Sequence, residues 1–302
     1  MQKPANSTTK GLPGAGVLPR RSRGLLIDAW RRLLLSWNGR LGLAVVTLIV
    51  LVAVVTPLVD RYDPHIDSNL AITRQAPSWQ HPFGTDRLGR DVFRRIMHGT
   101  RISLAVGLLV VTLTSLVGII IGLLAGYIGG VLDTLIMRLM DVLLAFPSIL
   151  LAIAIVAVRG PGLDNTMLAV SIVGIPGAAR LVRSMVLSLR ERDFVEAARM
   201  VGVPQTRVMF RHVLPNSISP IIVQATLGVG GAILYAAALG FLGLGAQPPA
   251  PEWGAMISDG IPFLTTSPHL VFFPGVAIMI SVLGFNLLGD GLRDALDPQT
   301  AL

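Results

Sequence analysis

The chain has 302 residues, 52% of them hydrophobic and only 14% charged, and a mean hydropathy of +0.69, which is too apolar for an ordinary soluble domain. Its net charge of +8 does not point to nucleic acid, because the arginines flank apolar runs and no aromatic-plus-basic platform accompanies them. The absence of cysteine excludes disulfides, iron–sulfur ligation and cysteine-based zinc sites, and the five histidines lack H-E-x-x-H spacing, so no metal site is expected.

Residues 1–24 are polar, basic and rich in Pro and Gly, the composition of a disordered tail. They contain both lysines of the chain, Lys3 and Lys10, so no G-x-x-x-x-G-K-[ST] phosphate loop exists and any ATP must be bound by another polypeptide. A cleaved signal peptide is not expected, since the first apolar run begins near Leu41 and no A-x-A site follows it.

Six spans are expected, at roughly 41–59, 103–126, 134–158, 166–187, 218–245 and 269–289, each long enough to cross about 30 Å of hydrocarbon. In the third, Arg138 and Asp141 stand at i,i+3 and can pair on a helix. In the second, Gly118, Gly122 and Gly126 form a bare stripe for close helix contact, either within the subunit or with a partner. The chain then divides into the tail at 1–24, an N-terminal region at 25–102 with the first span, a core at 103–290, and a C-terminal tail at 291–302.

Lys and Arg cluster before the first span and between spans four and five, which places both segments, and both termini, in the cytoplasm; residues 246–268 carry neither and read as external. The loop 60–102 holds seven arginines, but it is long and Asp60, Asp63, Asp67, Asp86 and Asp91 accompany them, so it too is read as external. Trp253 is placed as an aromatic anchor at the external interface. Gln224 and Asn286 are polar groups inside spans and are candidates for the substrate path, with helix–helix hydrogen bonding as the alternative.

The cytoplasmic connection 190–217, RERDFVEAARMVGVPQTRVMFRHVLPNS, is longer than adjacent antiparallel spans require. Two short helices are expected there. Asp193 and Glu196 have capping-box spacing, Gly202 can end the first helix in the left-handed conformation, and Pro204 suits the first turn of a second helix that stops before Leu214-Pro215.

The run Glu196-Ala197-Ala198-x-x-x-Gly202, followed by Leu214-Pro215, resembles the EAA loop of the inner-membrane permeases of binding-protein-dependent ABC importers. His212 stands where the general motif has an aliphatic residue. The likeness extends along the chain to the dipeptide and oligopeptide permease C-type subunits, through HPFGTDRLGRDVFRR (81–95), TRISL (100–104), GLLAGYIGG (122–130), DVLLAFPSILLA (141–152), GFLGLGAQPPAPEWG (240–254) and FNLLGDGLRDALDP (285–298). Tyr235 departs from the acidic residue expected there.

The resemblance implies an all-α integral membrane protein of the bacterial cytoplasmic membrane, with the type I importer permease fold and cytoplasmic coupling helices. It implies no catalysis and no cofactor on this chain. ATP and Mg would be bound by two partner ATPases, coupled through Glu196, Ala197, Ala198, Arg199, Gly202, Pro204, Leu214 and Pro215. A homologous second permease would complete the path, an external solute-binding protein would deliver substrate, and lipid would surround the whole. Peptides, nickel, glutathione, haem and sugar-derived ligands remain open as substrates. An ion-coupled secondary transporter is the alternative from another class, and it should show charge relays at mid-membrane.

Overall fold

In hydrocarbon every backbone N–H must find its acceptor within its own segment, and this chain answers with helix. A computed structural model describes residues 25–63 and 66–296; the tail at 1–24 and residues 297–302 of the C-terminal tail lie outside the described residues. A short α1 (Leu25–Leu35) is separated from α2 (Trp37–Val59) by Ser36, whose hydroxyl accepts the Gly39 N–H at 3.1 Å. There follow α3 (Val92–Ile128), α4 (Gly130–Ala145), α5 (Ser148–Arg159), α6 (Leu163–Arg190), α7 (Asp193–Met200), α8 (Gln205–Val208), α9 (Leu214–Phe241), α10 (Trp253–Gly260) and α11 (His269–Leu296). Among the described residues, five helices are long and apolar enough to cross a membrane, or six when α4 and α5 count as one broken span.

That broken span corrects the third expected one, because α4 and α5 meet at 91°. Pro147 forces Phe146 into an extended conformation (φ −87°, ψ 138°) and the helix cannot run through. The expected Arg138–Asp141 pair is replaced by pairs between helices. Asp141 bonds to Arg180 and Asp133 to Arg183, strapping α4 to α6.

The second span is also longer than its apolar stretch. Asp91 accepts the Arg94 N–H at 2.9 Å and starts α3 at Val92, so the 102/103 boundary falls inside a helix. With 37 residues α3 is ~55 Å long, well beyond the hydrocarbon thickness. Its Gly118, Gly122 and Gly126 stripe packs within the subunit: a Cβ at Gly122 would lie 2.4 Å from the Ala179 carbonyl oxygen on α6.

At the Val92 end of α3, residues 60–63 and 66–91 fold into a cap that uses its arginines internally. Asp86 accepts from Arg90 at 2.7 Å and Arg95 at 2.6 Å, with all three buried, Arg94 reaches Asp60 and Asp67, and Arg87 meets Asp259. Trp253 is a core residue rather than an interfacial anchor. It is 2% exposed, and its indole N–H donates to the Ile96 carbonyl at 3.2 Å, which ties α10 to α3. A ring with one N–H donor and a large apolar area is well satisfied there.

Candidate functional site

The opposite end of α3 carries the 190–217 connection. The expected helices form, with two corrections to their ends. Asp193 is the first residue of α7 and makes no capping bond; the carbonyl of Arg192 instead takes the Val195 and Glu196 N–H groups. Asp193 and Glu196 still place negative charge in the first turn, where the helix dipole favours it. Gly202 has φ +82°, as expected. Its N–H bonds to Arg199 while that of Val203 bonds to Ala198, the paired closure of a Schellman motif.

Pro204 precedes α8, and its carbonyl accepts the Val208 N–H at 3.0 Å. The second helix does not stop before Leu214-Pro215. A π-turn at Met209–Val213 carries it into α9, with the Leu214 N–H reaching the Met209 carbonyl. The wider turn leaves room for the Pro215 ring, which in a regular α-turn would press on the carbonyl four residues back.

One face of this hairpin is bolted to the membrane helices. Val195, Val208 and Val213 are fully buried against Leu123, Tyr127, Val182 and Val186. The Tyr127 hydroxyl donates to Gln205 Oε1 at 2.7 Å, the Arg199 guanidinium lies 5.4 Å from the Tyr127 ring, and Arg190 donates to the Gly126 carbonyl at 3.1 Å. The other face is open: Glu196 and Ala197 are exposed, and beside them Met200 and Val201 are 78% and 84% exposed. Leu214 packs into the anchoring cluster, and Pro215 is exposed.

Between this end and the cap, the middles of α3, α6 and α9 and the α4–α5 bend enclose a cavity of about 470 Å³. On α9, Gln224, Gly228, Gly231 and Tyr235 face it, a stripe at i, i+4, i+7 and i+11. Thr114, Ser115 and Ser148 add hydroxyls, and the lining contains no Asp, Glu, Lys, Arg or His. Gln224, a polar candidate read from the sequence, lines this cavity. Asn286 does not line this cavity; it is exposed on α11. The anchors Tyr127 and Gln205 escaped sequence reading because nothing in their local pattern marks a contact between residues so distant in the chain.

Comparison with known proteins agrees with this architecture. Residues 118–302 match the family of binding-protein-dependent transport system inner membrane components, and residues 24–77 match the N-terminal TM domain of oligopeptide transport permease C. The chain is 53% identical over 272 residues, 90% of it and 89% of the relative, to the dipeptide transport system permease protein DppC of Alkalihalophilus pseudofirmus. It is 46% identical over 283 residues, 94% of it and 93% of the relative, to the glutathione transport system permease protein GsiD of Escherichia coli. In fold it is similar to a chain of the MetNI methionine ABC transporter in an inward-facing conformation, with a TM-score of 0.57 over 68% of this chain and 97% of that one, at 18% identity. The chain belongs to the family of binding-protein-dependent transport system inner membrane components, and is a multi-span permease of the ABC importer class.

Proposed function

We propose that this chain is one of two homologous permease subunits of an ATP-driven importer of dipeptides or short oligopeptides, lying in the bacterial cytoplasmic membrane with both termini inside. The hairpin is the coupling element. Two ATPase subunits, which bind the ATP and Mg, dock on the exposed face formed by Glu196, Ala197, Met200 and Val201, while Arg199, Gly202 and Pro204 hold the hairpin's shape. An external solute-binding protein delivers substrate at the cap, and the central cavity is this subunit's half of the path.

The observation that carries this reading is the two-sided hairpin. A short helix closed by a Schellman motif, buried on one face and apolar and exposed on the other, moves as a unit with whatever docks on it and passes that motion to α3 and α6. The cavity supports the same reading, because a path lined mostly by aliphatic side chains, with a few hydroxyls and one amide, has no carboxylate, histidine or basic group to carry an ion-coupled proton relay.

The test is uptake of a labelled dipeptide by cells carrying Glu196→Lys or Gly202→Pro. We predict that uptake falls to background while the chain still inserts, because the first change alters the docking face and the second removes the N–H that closes α7. Uptake and ATPase co-purification at the normal level in both variants would refute the assignment. The relationship to a glutathione permease favours a second reading with the same architecture. Competition of unlabelled glutathione against the dipeptide separates the two.

A further inference from the structure

The polar groups of the central cavity fall into two kinds. The Thr114 hydroxyl is committed to the fold, donating to the Ser171 carbonyl at 3.1 Å across the contact of α3 with α6. The Gln224 amide and the Tyr235 hydroxyl are free. Both side chains line the cavity and are exposed, and neither has a hydrogen-bond or ion-pair partner among the described residues.

Their spacing is set by α9. Residues 224 and 235 stand about 20° apart around the helix and roughly 16 Å apart along it, one nearer the hairpin and the other nearer the cap. Between them the wall is low. A Cβ at Gly231 would meet nothing within 4 Å, and one at Gly228 would meet only Val111. An occupant can therefore lie against α9 over the whole distance.

The chemistry of the two ends narrows what that occupant is. A carboxamide and a phenol can each both donate and accept a hydrogen bond without presenting a fixed charge. An inorganic ion would find no counter-charge in the lining, and an apolar solute would leave both groups unused. Peptide backbone offers a donor and an acceptor at nearly every residue. Extended, it advances about 3.3–3.6 Å per residue, so roughly 16 Å corresponds to about five residues.

We infer that Tyr235 and Gln224 bind the backbone of an extended peptide at two points and favour chains of about five residues, a role that rests on the cavity being the transport path. Tyr235 holds the end nearer the cap, and Gln224 the end nearer the hairpin. A dipeptide spans only ~7 Å and reaches one of them at a time. The pair thereby discriminates by length, while the side chains of the peptide face the rest of the path.

The test compares uptake of labelled alanine dipeptide and alanine pentapeptide by cells carrying the natural chain, Tyr235→Phe, Gln224→Met, or both substitutions, with co-purification of the companion subunits followed in each. We expect the natural chain to import both peptides. The double variant should lose about tenfold in pentapeptide uptake and about threefold or less in dipeptide uptake, as two neutral hydrogen bonds against one require. Each single variant should lose about threefold for the pentapeptide. Assembly should be unchanged, because neither side chain makes a bond within the chain. Equal losses for the two peptides, undiminished pentapeptide uptake in the double variant, or a natural chain that imports the dipeptide alone overturns the inference. A double variant that no longer assembles also overturns it, by assigning both groups to the contact with the second permease. A natural chain that imports neither peptide refutes instead the reading of the cavity as a peptide path, and the length preference with it.

Discussion

A Cβ added at Gly122 would sit 2.4 Å from the Ala179 carbonyl oxygen, whereas one added at Gly231 or Gly177 would meet nothing within 4 Å. The same residue type therefore serves two purposes in these helices. Gly122 lets α3 and α6 approach, and its replacement must push them apart. Gly231 and Gly177 line the cavity and keep it wide. We predict that Gly122→Leu lowers the melting temperature of the purified chain, while Gly231→Leu leaves melting unchanged and reduces dipeptide uptake by narrowing the path. Sequence reading found the first stripe because i,i+4 spacing is a local signal. It could not tell a glycine that packs from one that leaves space, because that difference belongs to the neighbouring helices.

Charged residues at the cap follow the same logic. The hydrogen bonds from Arg94 hold the Asp60 carboxyl below its ordinary value of 3.8. A lowered carboxylate pKa adds stability that is complete above 3.8 and disappears as the pH falls through the lower folded value. We predict that amide hydrogen exchange in 60–63 and 66–91, corrected for its intrinsic pH dependence, stays slow at pH 5 and quickens as the pH falls below 3.8, and that Asp60→Asn weakens that acid response. Both partners are about a third exposed, so the effect is modest. Trp253, read from the sequence as an anchor, was misplaced for a related reason. Its position in a loop between spans was legible, but its burial depends on α3, whose Ile96 carbonyl accepts its indole N–H and whose Gly99 backbone lies against the ring. Its replacement by Ala should cost about 3–5 kcal/mol, measured as a fall in the midpoint of denaturant unfolding.

Among the elements, the ends of helices divide cleanly into those set locally and those set by tertiary contacts. Gly202 closes α7 through bonds to Arg199 and Ala198 in its own turn, and that closure was readable. The Asp193–Glu196 box was readable too, yet did not form, because the extended Arg192 makes the turn and Asp193 enters the helix. Pro147 breaks a span that hydropathy read as continuous, and the angle of 91° depends on what α4 and α5 pack against. Pro215 looked like a stop and proved to be absorbed by the π-turn before it. The hairpin's stiffness in turn depends on its anchors. Tyr127→Phe removes the hydroxyl that donates to Gln205 and leaves the ring in place. We predict a lower ratio of dipeptide imported to ATP hydrolysed in proteoliposomes, with subunit assembly unchanged.

At the scale of the molecule, the arrangement of ends is the main constraint. One helix, α3, touches Trp253 near its first turns and the hairpin near its last, so cap and hairpin lie ~45–55 Å apart along its axis, on opposite sides of any bilayer it crosses. The arginine-rich loop 60–102 pairs most of its charge at this end of the molecule. Four of its arginines are neutralised by carboxylates within the folded cap, and Arg74 lies 4.9 Å over the Phe263 ring. The five long apolar helices and the helical hairpin at 190–217 were legible from hydropathy and local pattern; the cavity was not, since five helices, α3, α4, α5, α6 and α9, build it.

The central claim is that the exposed face of the hairpin receives the ATPase on the cytoplasmic side. The chain has no natural cysteine, so a single one at Met200 gives an unambiguous probe. In inside-out membrane vesicles holding the assembled transporter, a cysteine-directed photo-cross-linker on Met200→Cys should join this chain to an ATPase subunit. A residue-200 cysteine that reacts only from the outer side, or that yields no ATPase adduct in assembled transporter, would contradict the account.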